Sequence, residues 1–555
     1  MHRKVALLLL LLLACHRAER PQRVPVILIS IDTLRSDHLP AYGYRAIATP
    51  NVDRLARDGV VFEHAYSNVP LTLPSHTTIM TGLLPAEHGV RDNAGAHLDA
   101  SKTTIASMLR AHGYATGAAV SAYVLRHDSN ISSGFDFYDD AIEFVEGAPT
   151  GNLQRRGDAT AAIMKNWIAS HRAEPFFAFV HLFEPHAPYE PSYDAEIVKA
   201  DRIAGDLLDS LRAQGLYDDA LIVLLSDHGE GLGDHGEEEH GVLLYREALQ
   251  VPLIVKLPHN ARAGERVAAP VQLTEVMPTI AAATGIPDPR PSLFAKPTPR
   301  AIYSETLYPR IHLGWSELRS AIRYPLHLIS GPKPELYDVA NDPRETNDLR
   351  ATRRRESAEL TRALETFPRG ETNAPRANAE ERKKLAALGY VDAGGTTGDA
   401  RANPREHLAD LAELKEVTQF MQRRDYAHAA TRIESLLQRN PGWSDLRNDL
   451  GLAYEQLGDL AHAEKTYRDG IRATPELAPD FALSLAPILA REGKLDDAEA
   501  HARLALATNA PGAHEVLARI ALVRKDYATA LREAEGNDVL KAEVLAAQGR
   551  RDEAL

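Results

Sequence analysis

Three apolar runs in this chain end in side chains that could hold a divalent cation. Residues 24–31 are followed by Asp32, Phe176–Leu182 by Glu184 and His186, and residues 220–225, through Ser226, by Asp227 and His228. Carboxylates and an imidazole converging on one point make a donor set suited to Zn²⁺ or Mn²⁺, with Ca²⁺ admissible. Each residue alone has a plain structural reading, because an Asp after a strand often caps a helix. Three strand ends that give the same answer point instead to a site. A fourth segment, Thr72-Leu73-Pro74-Ser75-His76, supplies a nucleophile. Proline two residues after Thr72 suits the first turn of a helix, which puts the Thr72 hydroxyl where backbone donors and the helix dipole favour an anion. Beside a cation such a hydroxyl ionises near neutral pH and attacks a phosphoryl or sulfuryl centre. The competing reading makes Thr72 a helix cap and nothing more.

The elements that must bring these residues together alternate along the chain. Residues 24–31, 176–182, 220–225 and 251–257 are rich in Val, Ile, Leu and Phe and read as buried parallel strands. Residues 51–58 and 103–112 have helical spacing. Strands alternating with helices imply an α/β sandwich, and ligands in such sheets bind outside the carboxyl ends of the strands. This regime ends near Leu349. Residues 351–404 have linker composition, with a short helical island at 379–388.

Residues 405–555 repeat themselves. Gly458 with Ala463 and Gly493 with Ala498 lie 35 apart; Arg424 with Ala429 precedes by 34, and Lys525 with Ala530 follows by 32. Leu450-Gly451-Leu452-Ala453-Tyr454, then Ala463 and Pro475, resembles the tetratricopeptide consensus, a helix-turn-helix unit of 34 residues. About four units are expected, with a fifth begun at Gly549, enough to stack into a solenoid that presents a surface to a protein or peptide partner. An irregular Ala-rich bundle is the alternative. Every candidate ligand precedes the linker, so the tail is expected to be separable from the chemistry.

A basic head, Met1-His2-Arg3-Lys4, precedes a ten-residue apolar run at 5–14, too short to span a bilayer. The single cysteine, Cys15, follows it in Leu12-Leu13-Ala14-Cys15, which resembles the lipobox of bacterial lipoproteins. Residues 1–15 are therefore expected to direct export and lipid anchoring at Cys15, facing the periplasm or the cell exterior; an ordinary cleaved signal is the alternative. With 63 basic against 77 acidic residues among 555, a formal charge of −14 argues against binding of a nucleic-acid polymer. It leaves room for a small anionic ester, because a cation sets the local field.

Several motifs together resemble the sulfatase branch of the alkaline phosphatase superfamily. They are Ser-Ile-Asp-Thr-Leu-Arg-Ser-Asp-His (30–38), Tyr-Gly-Tyr (42–44), Thr-Pro-Asn-Val-Asp-Arg-Leu-Ala (49–56), Phe-Glu-Pro-His-Ala-Pro-Tyr (183–189), Ser-Asp-His-Gly-Glu (226–230), and Glu-Leu-Tyr-Asp (335–338) with Asp-Pro-Arg-Glu-Thr-Asn-Asp-Leu (342–349). The resemblance covers about residues 24–350. It implies an alkaline-phosphatase-like α/β/α sandwich with a metal site at Asp32, Thr72, Asp227 and His228.

The departures from that pattern redirect the chemistry. Sulfatases of this type oxidise a Cys or Ser to formylglycine. Thr72 stands there with a β-methyl group and cannot become an aldehyde, and His76 replaces the signature arginine. The usual acidic pair is Asp32-Thr33, one oxygen ligand short. Thr72, His76, Thr81-Gly82-Leu83, His88-Gly89-Val90 and Asn93 are instead similar to the nucleotide pyrophosphatase/phosphodiesterase family. There threonine is the nucleophile and an asparagine 21 residues on, as Asn93 is here, binds a phosphoryl oxygen. A neutral amide donor suits that role. His240 stands where related phosphonate-hydrolase-like enzymes have a lysine; with Glu184 and His186 it could hold a second cation or bind substrate. His240 and His235 share a charged loop, where a structural role is equally natural. The expectation is a metal-dependent hydrolase of phosphate esters, most readily diesters, through Thr72. Sulfate-ester hydrolysis on the same scaffold is the alternative, and a catalytically retired domain with a partner-binding tail is a third.

Overall fold

Apolar runs long enough to be buried on both faces pair through the middle of an eight-stranded sheet. The computed structural model describes residues 24–93, 95–142, 154–296, 299–370, 402–506 and 511–550. The signal segment with Cys15, the helical island at 379–388 and the chain beyond Arg550 lie outside these residues. No helix among the described residues is long and apolar enough to cross a membrane. The chain divides into a sheet unit, Met1–Leu307 with Leu318–Gly389, and a helical unit, Tyr308–Glu317 with Tyr390–Leu555.

The sheet runs Arg266–Val267, Val60–Phe62, Leu253–Lys256, Leu221–Leu225, Val26–Ile31, Phe176–Leu182, Ala115–Ala119, Phe137–Asp139. The three strands whose ends carry candidate ligands are neighbours and parallel, with Ile31 beside Leu182 and Ser30 beside Leu225. Their carboxyl ends therefore open onto one crevice. Alternation sorts their side chains between two layers. Ile27, Ile29, Ile31, Ala178 and Val180 join a core with Leu55, Met164, Ile168, Ile197 and Leu207 of the helices Pro50–Asp58, Gly157–His171 and Tyr193–Ala213. On the opposite face His76 of the helix Thr72–Thr81 meets Ser30, Phe179 and His181. The result is an α/β/α sandwich.

Two features differ from the sequence reading. Leu253–Lys256 pairs antiparallel to Leu221–Leu225, although 251–257 reads as another parallel strand. An apolar run buried on both faces carries no signature of its direction. Residues after 350 are also not all linker. The helix Arg354–Glu365 places Leu360 and Leu364 in one core with a four-stranded antiparallel sheet, Ile302–Thr306, Leu318–Arg323, Leu326–Ser330 and Glu335–Asp338.

In the helical unit the sequence period has a physical cause. Arg424, Gly458, Gly493 and Lys525 all sit in left-handed turns, with φ of 59, 79, 77 and 61°. Five residues after each, Ala429, Ala463, Ala498 and Ala530 are 0% exposed, where a larger side chain would hold neighbouring helices apart. Consecutive helices from Leu408–Gln422 to Asp538–Ala547 pack on one another. This unit also takes in Tyr308–Glu317, which the chain inserts between two strands of the antiparallel sheet. Trp315 donates its indole N–H to Asn440 Oδ1 at 3.2 Å, Trp443 donates to the Leu313 carbonyl at 2.6 Å, and the Ser316 N–H bonds the Ala402 carbonyl at 2.9 Å. Both indoles are buried. The first helices of the tail thus pack with a segment that precedes the linker in sequence.

Candidate active site

The nucleophile candidate is placed by its own helix. That helix begins at Thr72 after extended Leu71, and every residue through Thr81 is buried. Ser75 Oγ donates to the Asp227 carbonyl at 2.7 Å, tying the helix to the loop after Leu221–Leu225. Thr72 Oγ1 then stands 3.3 Å from His228 Nε2. The His228 Nδ1–H is committed to the Gly229 carbonyl at 3.0 Å, so Nε2 presents its lone pair. Nε2 lies 3.3 Å from Asp227 Oδ2 and 3.6 Å from Asp32 Oδ1.

Among the described residues, Asp32, Asp227 and His228 are the group whose donor atoms converge, all within 4.8 Å of one another. All three are fully buried, and neither carboxylate has a hydrogen-bond partner for either oxygen. His181 Nε2 comes within 3.3 Å of Asp32 Oδ2 and His76 Nδ1 within 3.4 Å of Asp227 Oδ2, yet no carboxylate oxygen completes a hydrogen bond, and two such groups beside an imidazole lone pair would be costly without a charge to meet them. The donor set fits a divalent cation, with Thr72 Oγ1 alongside. Thr33 Oγ1 is also buried without a partner, on a residue held at φ 55°, unusual for a β-branched side chain.

Burial and the neighbouring charge of Asp32 push Asp227 well above the usual carboxylate range. Burial acts on Asp32 in the same direction, but the contact with His181 and the charges of His181 and His228 outweigh it and hold Asp32 below that range. Burial, with the charge of His240, drives His228 well down, which keeps its lone pair available.

Asn93 stands beside the helix start. Its Oδ1 accepts the Leu73 N–H at 2.8 Å, which turns Nδ2 the other way; Nδ2 is buried and has no partner. The loop that carries it is clamped twice. His88 accepts the Val90 N–H at 3.1 Å through Nδ1, leaving Nε2–H to donate to Thr78 Oγ1 at 3.0 Å. Arg91 grips Glu305 with two bonds of 2.7 Å. Neither anchor is announced by local sequence.

Other candidates land differently. His76 does not touch the nucleophile's hydroxyl. Its Nδ1 donates to the Thr72 carbonyl at 2.8 Å and lies 3.4 Å from Asp227 Oδ2, while Nε2 meets Ser30 Oγ at 2.9 Å. Burial pushes its pKa down to about 3, so it positions rather than transfers a proton. Glu184 divides its carboxylate: Oε1 accepts the Gly157 N–H at 3.0 Å at the start of the helix Gly157–His171, and Oε2 is buried without a hydrogen-bond partner. His235 is structural: it donates to Glu247 at 2.6 Å and stacks on Tyr245 at 3.6 Å. His240 and His186 do reach the site. The His240 ring lies 4.4 Å from His228 and 5.1 Å from His186. Glu230, missed in the sequence reading, binds His240 Nδ1 and the Tyr189 hydroxyl, each at 2.9 Å.

Comparison with known proteins agrees with this geometry. Residues 25–286 match the family described as Sulfatase. An ulvan-active sulfatase of Formosa agariphila is 24% identical over 332 residues, covering 49% of this chain and 63% of that protein. Ectonucleotide pyrophosphatase/phosphodiesterase family member 3 of Rattus norvegicus is 25% identical over 236 residues, 39% of this chain and 26% of that protein. The crystal structure of Ps i-CgsB in complex with k-i-k-neocarrahexaose superposes with a TM-score of 0.55 at 19% identity, covering 66% of this chain and 98% of that one. Most of the curated relatives carry sulfatase names. The sheet unit has the alkaline-phosphatase-like fold of these sulfatase structures.

Proposed function

We propose that the sheet unit is a cation-dependent hydrolase of phosphate esters, diesters first among them, with Thr72 as its nucleophile. The observation that carries this reading is the position of Thr72 Oγ1, 3.3 Å from His228 Nε2 beside two carboxylates without hydrogen-bond partners. Asp32, Asp227 and His228, with Thr72, would hold the cation, which supplies Lewis-acid neutralisation of the hydroxyl and of the substrate's oxygens. Zn²⁺ or Mn²⁺ suits the mixed oxygen and nitrogen donors.

On a diester, Thr72 Oγ gives up its proton and attacks phosphorus as one alkoxide leaves and takes a proton as the alcohol, forming a Thr72 phosphodiester that keeps the second ester group; water then cleaves the Thr72–phosphate bond, releasing the monoester and restoring the hydroxyl. Asn93 Nδ2 donates to an equatorial oxygen as its charge grows. His186 and His240, the latter backed by Glu230, are read as receiving the remaining oxygens or the leaving group; with the unpartnered Oε2 of Glu184 they form the alternative second-cation set.

Sulfate-ester hydrolysis is the second reading, favoured by the names of most relatives. The side chain at 72 weighs against it, because threonine cannot provide the formylglycine hydrate that expels sulfate from the enzyme. Matched 4-nitrophenyl phosphate diester, phosphate monoester and sulfate substrates, with and without added Mn²⁺ or Zn²⁺, decide between them. A sulfate preference in kcat/KM would overturn the main reading. The tail is read as tetratricopeptide-like with a partner-binding surface, and residues 1–15 as a lipoprotein-type export signal modified at Cys15; incorporation of labelled fatty acid, lost in Cys15→Ser, tests the latter.

A further inference from the structure

Each carboxylate of the cation site has its own imidazole behind it, and one of the two is His181, next to last in the strand Phe176–Leu182. Its Nδ1 accepts the Ser121 N–H at 3.3 Å, and an imidazolium has no lone pair there to accept with. The ring is therefore neutral, its proton lies on Nε2, and Nε2 stands 3.3 Å from Asp32 Oδ2. His76 mirrors this on the other carboxylate, with Nδ1 3.4 Å from Asp227 Oδ2 and Nε2 held by Ser30 Oγ at 2.9 Å. The two rings meet edge to face, their centroids 4.9 Å apart. Ser121 is itself fixed, its Oγ 2.7 Å from Thr160 Oγ1.

We propose that His181 is a positioning residue for the cation site: a neutral imidazole, its tautomer set by the Ser121 amide, that aims the Asp32 carboxylate at the cation without supplying a charge. A donor behind a ligating carboxylate fixes its orientation, and losing such a partner typically weakens metal binding about 10–100-fold. This inference rests on the cation-dependent reading above.

The test separates the two ends of the ring. In full-length, chelator-stripped protein, His181→Asn keeps an acceptor for the Ser121 N–H but does not reach Asp32. His181→Gln reaches Asp32 with an N–H and gives up the Ser121 bond. Mn²⁺ affinity is measured by calorimetry on the unmutated protein and both variants, with thermal melting as the check on folding. The expected result is that Asn weakens Mn²⁺ binding about 10–100-fold while Gln retains most of the affinity. A purely structural His181 predicts the reverse order. Asn binding Mn²⁺ as tightly as the unmutated protein, or Gln binding as weakly as Asn, would overturn the proposal. No Mn²⁺ binding by the unmutated protein would sink the cation reading and this inference with it.

Discussion

Asn93 does two jobs with one amide, and substitution can pull them apart. Its Oδ1 holds the Leu73 N–H at 2.8 Å at the start of the nucleophile's helix, and its buried Nδ2 waits for an acceptor. Asn93→Ala removes both. Loss of one donor to developing charge typically costs about 10² to 10³ in turnover, roughly 3 to 4 kcal/mol. A buried N–H left without its acceptor costs about 1 to 3 kcal/mol of stability. Asn93→Asp keeps an acceptor for Leu73, so melting should stay closer to that of the unmutated protein. It replaces the donor with a negative charge facing an anionic substrate, so turnover should fall at least as far as in the alanine variant. The assay is kcat and KM on a 4-nitrophenyl phosphodiester at saturating cation, with thermal melting of each variant. The loss should sit in kcat more than in KM, because the donor's contribution grows with charge. If Asn93→Asp keeps turnover within tenfold of the unmutated protein, Nδ2 does not contact the transferred group.

The same chemistry sets further expectations. Thr72→Ala should leave near-background turnover, and Thr72→Ser should recover much of it; equal diester hydrolysis by Thr72→Ala would make Thr72 a cap. Without cation Asp227 is held above the usual carboxylate range, so its contribution to stability is present at low pH and lost as pH rises through that raised pKa. Cation binding should therefore displace a proton and tighten with pH, which calorimetry in buffers of different ionisation enthalpy reads as proton release; binding that is indifferent to pH would contradict it. A chain ending near residue 365 should expose Trp315, whose indole partner Asn440 is gone, and show raised tryptophan exposure by fluorescence quenching and a tendency to aggregate. Trp315→Ala in the full chain should increase protease sensitivity of the first tail helices.

The site was readable where chemistry and element boundaries coincide. Asp32 and Asp227-His228 each follow an apolar run, and Pro74 marks the helix start that carries Thr72, so the sequence assigns four residues to one crevice. Glu184 carries the same local signal as a ligand, a carboxylate just past a strand. One of its oxygens meets a helix start, because Gly157 leaves room for it; a β-carbon there would meet Oε2 at 2.4 Å. His181 stayed hidden because it interrupts the apolar run at 176–182 and reads as a polar exception in a strand, its meaning set by Ser121 and Asp32 across the sheet. The antiparallel strand and the Trp315 insertion were missed for a related reason. Strand direction and a contact 125 residues apart belong to the assembled chain, not to any window of it.

A covalent intermediate on Thr72 is the most direct test. The full-length enzyme, loaded with cation, is mixed with excess phosphodiester, quenched in acid within the first turnovers, digested and sequenced by mass spectrometry. A phosphoryl adduct still carrying the substrate's retained ester group on the Thr72 peptide, absent from Thr72→Ala and removed on longer incubation, is the expected result. Active enzyme that carries its label on another side chain, or that shows no label despite a pre-steady-state burst of nitrophenol, would contradict the assignment of Thr72 as nucleophile.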